Sequence, residues 1–243
     1  LIVAALNLQG SHDLSKKTLK SDHFIFSKYY IGSRTTGYYR TDQYYDGNTK
    51  LATAMTVSAA AISSGMGAIG FAASNFYMTL LNLRTGYWML NPAFAIREKC
   101  LIAARKAGQK VKMNFFEKWS IWLPSYPFWL GYLAAEFTGY LSYKTKRVYV
   151  SDGGHTGDNL GLLPLVQRKC KTIYIGDFEE DKGFSFASFN QAVRLAQAVY
   201  DARIEIDLQP LMPRKGKDDM TYSMCSSVKG RIIYDDKSEG TII

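Results

Sequence analysis

Residues 147–166 read RVYVSDGGHTGDNLGLLPLV. A β-branched, apolar run ends on Asp152, two glycines follow, and apolar residues then recur at helical spacing. A carboxylate at such a strand end can take a proton as a general base, hold a metal ion, or cap the helix behind it. Capping falls more naturally to Asp158 and Asn159, which immediately precede the apolar periodicity. Asp152, His155 and Asp158 stand at three-residue spacing, but the loop lacks the distal bidentate Glu and the register of a calcium site. No metal and no other cofactor is expected. The general-base role stays open. Gly153 and Gly154 beside the acid can take positive φ and admit a second chain segment or a substrate.

A base needs a nucleophile to act on. Ser63 and Ser64 lie in AISSGMG, a helix end followed by glycines, which favours a structural small-residue segment over an elbow. Ser151 adjoins Asp152 but must point to the opposite face of its strand. His12, His23 and His155 have no evident triad partner and read as surface or loop histidines, and Asp177 reads as a structural acid.

The elements that must carry these groups follow from periodicity. Residues 1–8 form a buried strand and 24–33 an alternating one, with a polar, tyrosine-rich loop over 35–50. Small and apolar residues predict buried helices over 51–64 and 71–83, and Gly65, Gly67 and Gly70 argue against one membrane span. A basic amphipathic helix is predicted over 96–108. Residues 119–141 are aromatic-rich, but Pro124 and Pro127 break any continuous helix there. Strands over 148–151 and 172–176, with helical spacing between them, read as a βαβ unit. A long amphipathic helix over 186–206 and a hairpin over 230–243 complete a layered α/β chain.

The bulk numbers narrow the function classes. The formal net charge of +9 suits a phosphate-bearing partner or an anionic membrane. KTKR at 144–147 and PRKGK at 213–217 are not interleaved with aromatics, so nucleic acid is not expected. Cys100, Cys170 and Cys225 form no CxxC pair and read as buried free thiols. The chain opens inside an element and closes on a short last strand, as a piece of a longer protein would.

VYVSDGGHTGDNLGLLPLV followed by KTIYIGDFEED resembles the catalytic-aspartate segment of the patatin and cytosolic phospholipase A-two superfamily. FIFSKYYIGS, LATAMTVSAAAISSGMG, LNLRTGYWMLNP and LAAEFTGYL are similar to other segments of that superfamily, including its bacterial, membrane-associated members. The resemblance spans most of the chain. It implies a single α/β/α domain over 1–243 with a mainly parallel central sheet, the C-terminal portion of an acyl hydrolase. It also implies a Ser–Asp dyad, in which the aspartate accepts the serine proton directly and a glycine-rich loop holds the oxyanion. Asp152 matches the dyad acid, Gly153 and Gly154 the turn that aims it, and Asn159 the asparagine that fixes the loop. Neither the GxSxG elbow nor the glycine-rich oxyanion loop occurs in this sequence, and His-Thr-Gly-Asp-Asn is one residue longer than the bacterial form. The nucleophile is therefore expected on a preceding segment or a companion chain. The implied substrate is a phospholipid or lysophospholipid ester, and the implied location is intracellular and membrane-associated. The alternative is a non-catalytic structural or membrane-docking component of an assembly.

Overall fold

The structure is a computed structural model, and it describes residues 1–10, 20–60, 86–108, 129–215 and 221–243. It forms two compact units, Leu1–Thr156 and Gly157–Ile243.

The first unit is built on a strongly curled six-stranded sheet. Its strands are β1 (Ile2–Asn7), β2 (Ser21–Phe26), β3 (Tyr30–Ser33), β4 (Gly37–Arg40), β5 (Tyr87–Leu90) and β6 (Arg147–Asp152), in the order β4-β3-β2-β1-β6-β5. Every neighbouring pair is antiparallel. The central strand β1 is apolar on both faces because both are covered. Ala4 and Leu6 on one face and Ala5 on the other are fully buried. On the first face, Ala4, Leu6, Phe24, Phe26, Val148 and Val150 form one cluster with Ala54 and Val57 of helix α1 (Leu51–Ser58). Helix α2 (Pro92–Lys106) starts where Asn91, itself buried, accepts a bond on Oδ1 from Ala93 N–H at 3.0 Å. Proline in the first turn suits that start. Helix α3 spans Trp129–Thr138. Among the described residues no helix is long and apolar enough to cross a membrane.

The second unit holds strands β7 (Thr172–Ile173), β8 (Arg203–Glu205), β11 (Gly230–Ile233) and β12 (Glu239–Ile242), ordered β7-β12-β11-β8, and a separate pair, β9 (Arg214–Lys215) with β10 (Thr221–Tyr222). Helices α4 (Leu163–Gln167) and α5 (Ala187–Tyr200) bury Leu163, Val166, Phe189, Ala192 and Ala196 in one cluster with Ile173, Ile232 and Ile242.

This architecture overturns the expected α/β/α fold with a mainly parallel sheet. The six-stranded sheet is antiparallel, and only β7–β12 pairs in parallel among the described strands. The expected βαβ unit does not form. Strand β6 pairs with β1, whereas β7 belongs to the second unit and pairs with β12. The linking helix is five residues long, bounded by Gly161 at φ 67° and Lys169 at φ 50°. Periodicity had identified the strands, but it carries no information about which distant edge each would meet.

Smaller differences have local causes. Residues 24–33 make two strands because Ser27 turns the chain, accepting the Tyr30 N–H on Oγ at 2.9 Å. The tyrosine-rich stretch after them is ordered as β4 and a 3-10 segment, Thr41–Gly47, with Tyr44 fully buried. Helix α5 stops at Asp201, which is left-handed at φ 51°, and the chain then enters β8. The hairpin of β11 and β12 forms where expected. The three cysteines are free thiols, but Cys100 is exposed and the others half-buried, not sealed in a core. The predicted helix over 71–83, Ser63, Ser64, His12 and most of 119–141 lie outside the described residues.

Candidate functional site

Asp152 is the last residue of β6. Its register partner is Ala4, so it shares the sheet face of Val150, Leu6 and Phe24, and Ser151 faces the other way. The backbone N–H of Asp152 donates to the Ala60 carbonyl at 3.4 Å, just past the end of α1. Its side chain is half-buried. Oδ1 accepts the Gly154 N–H at 2.7 Å, which closes a tight turn and orients the carboxylate. Oδ2 accepts no bond from any described residue, and no described lysine or arginine pairs with it. The arrangement leaves one carboxylate oxygen held and one open to take a proton.

Gly153–Thr156 form a single 3-10 turn behind the acid. Positive φ is not what this turn needs, since only Gly157 and Gly161 nearby adopt it. Gly153 answers to close approach instead. A Cβ there would sit 2.7 Å from the Val3 carbonyl oxygen of β1. The glycine brings the turn against the central strand.

Side chains of the opposite sheet face bolt the turn in place. Register puts Ala5, His23 and Ser151 in one row and Asn7 and Ser21 in the next. Asn7 donates from Nδ2 to Ser151 Oγ at 2.8 Å, and Ser151 Oγ lies 2.9 Å from His155 Nδ1. Ser21 Oγ donates to the His155 carbonyl at 3.2 Å, and Thr156 Oγ1 lies 3.1 Å from His23 Nε2. Asn7 and Ser151 are 1% and 0% exposed. The Ser151–His155 pair thus has the spacing of a nucleophile and its base, but a sealed hydroxyl cannot meet an acyl carbon. Its action is to fix the turn that carries Asp152.

Sequence reasoning took His155 and His23 for surface or loop residues. Both are half-buried parts of this network. The spacing of Ser151 and His155 was visible as a strand residue and a turn residue four apart. Asn7, 144 residues from Ser151, carried no local signal.

In the second unit Asp158 braces the start of α4 from four residues ahead of its N-cap, Leu162. It is 2% exposed, and its two oxygens accept the N–H groups of Leu162 at 2.9 Å and Leu163 at 2.7 Å, at the start of α4. Asn159 is exposed and donates to Glu179 Oε1. Asp177 is exposed and accepts the Glu179 N–H at 3.0 Å, a loop-closing role. Among the described residues no three His, Cys, Asp or Glu side chains gather as a metal site. No protein-family model matches this chain, and neither does any curated protein or solved structure.

Proposed function

We propose that Asp152 is the proton-accepting carboxylate of a serine acyl-ester hydrolase, acting on a phospholipid or lysophospholipid ester. The single observation that carries this reading is the posture of the acid. Gly154 N–H holds one oxygen, the other is open, and a buried polar network anchors the turn behind it. The resemblance of residues 148–166 adds the chemistry. The reading draws nothing from the fold, which differs from that of the family.

A serine hydroxyl attacks the acyl carbon, and its proton passes to Asp152 Oδ2. Collapse of the tetrahedral adduct expels the alcohol, which takes that proton back. Water then cleaves the acyl-enzyme, with Asp152 again accepting and returning a proton. The serine is supplied by a preceding segment or a companion chain. Asn159 fixes its own loop through Glu179 and takes no part in proton transfer.

The test is Asp152→Asn in the full-length protein. The amide oxygen still accepts the Gly154 N–H, so the unfolding midpoint should hold. Hydrolysis of a lysophospholipid should fall by about 10²–10⁴, the usual contribution of a general base. A fluorophosphonate probe with peptide mapping identifies the serine. Retained turnover in Asp152→Asn refutes the base, and failure of any serine to react makes the chain a non-catalytic component.

A further inference from the structure

We propose that a pocket beside the start of α1 binds a single-chain anionic amphiphile, apolar tail inward and anion between Lys28 and Lys50. The inference stands apart from the role of Asp152. The pocket is a half-open cleft of ≈ 300 Å³ within the first unit. Leu1, Ile2, Phe26, Ile31, Leu51 and Ala54 form its apolar wall. Leu51 leaves 70% of its surface exposed, an apolar area that a ligand chain would cover.

Polar groups from two segments, Lys28 and Thr49–Lys50, line the same pocket. Lys28 and Lys50 both line it and are both exposed, and neither is paired with a described carboxylate. Lys50 is the N-cap of α1 and makes no side-chain capping bond, so the first N–H groups of the helix remain free to face an anion. Thr49 also lines the pocket, and its Oγ1 is buried with no hydrogen-bond partner. Two cations and a helix start beside the pocket call for a carboxylate or a phosphate monoester. The apolar wall calls for an alkyl chain. A volume at the lower end of the usual range of about 300–1,000 Å³ calls for a short one.

The experiment titrates the full chain with octanoate, octyl phosphate, octanol and butyrate, each below its aggregation concentration, by calorimetry and amide chemical-shift mapping. The two anionic octyl ligands should bind at least about tenfold more tightly than octanol. Butyrate should be weaker than octanoate by at least about fiftyfold, since each buried methylene is worth about fourfold. Tighter binding of octyl phosphate assigns the head to a lipid phosphate, and tighter binding of octanoate assigns it to a fatty acid. Lys28→Glu with Lys50→Glu, both at exposed positions, should bring the octanoate-to-octanol ratio near one. The proposal is overturned if no octyl ligand binds, if butyrate matches octanoate, or if the charge reversal leaves the anion preference intact.

Discussion

The coupling between Asn7 and Ser151 is the sharpest quantity the first unit offers. Ser151→Ala removes a fully buried hydroxyl bonded to Asn7 Nδ2 at 2.8 Å and to His155 Nδ1 at 2.9 Å. Asn7 Nδ2 is then left with only the Ala5 carbonyl at 3.5 Å, too long for a good bond. The buried Asn7 amide left unsatisfied costs roughly 1–3 kcal/mol, and the lost bond to His155 adds about 1 kcal/mol, so the substitution should destabilise the unit by about 2–4 kcal/mol. Asn7→Ala should cost less. Asn7 Oδ1 is already buried without a partner, and removing it relieves part of the loss. In the double variant the shared bond is lost once, whereas the two single variants each count it. The singles should therefore over-sum by about 1–2 kcal/mol. The assay is urea unfolding followed by tryptophan fluorescence. Among the described residues Trp88 and Trp129 lie in the unit Leu1–Thr156, so their signal reports that unit. Additivity within about 0.3 kcal/mol, or a Ser151→Ala cost below about 0.5 kcal/mol, would refute the claim that this pair anchors the Asp152 turn.

Two further outcomes concern the second unit. Asp158→Ala strands the N–H groups of Leu162 and Leu163, each bonded to a buried carboxylate oxygen, and should cost about 2–4 kcal/mol; tyrosine-detected unfolding with a loss under about 1 kcal/mol would dismiss the brace. The ion pair of Lys169 with Asp236 at 2.7 Å should give a pH-dependent stability. Lys169 hydrogen bonding holds the Asp236 carboxyl well below the usual carboxylate range, aided by Ser238. A depressed folded pKa stabilises above the unfolded value, about 4, and that stability is lost as pH falls toward the folded one. Bonds to Asp235 and then Asp236 raise Lys169 above its ordinary value, so its share persists until the pH climbs through that raised pKa. The melting difference between the protein and Asp236→Asn should be flat across neutral pH and shrink below about pH 4; a difference unchanged in acid removes the pair from the account.

Much of the local order was legible in the residues. The apolar run of 1–8 announced β1, the apolar run ending at Asp152 announced β6, and the acid Asp158 ahead of the next apolar period announced a helix start. These signals are local, because strand alternation, helical spacing and capping each depend on neighbours a few positions apart. Helix α1 starts at the predicted residue for the same reason.

What the residues alone determined, then, was where the chain is extended, where it turns, and that a carboxylate stands at a strand end. Tertiary structure decided everything that depends on partners far along the chain. It decided that β6 pairs antiparallel with β1, so the expected parallel α/β/α layering gives way to a curled antiparallel sheet. It decided that Asn7 and Ser21 would meet the Ser151–His155 turn, and that Lys28, Thr49 and Lys50 would share one pocket. The physical reason is that a strand's backbone donors and acceptors are the same for every neighbour. Which edge they meet is settled by burial of whole faces, a sum over distant residues that no short window contains.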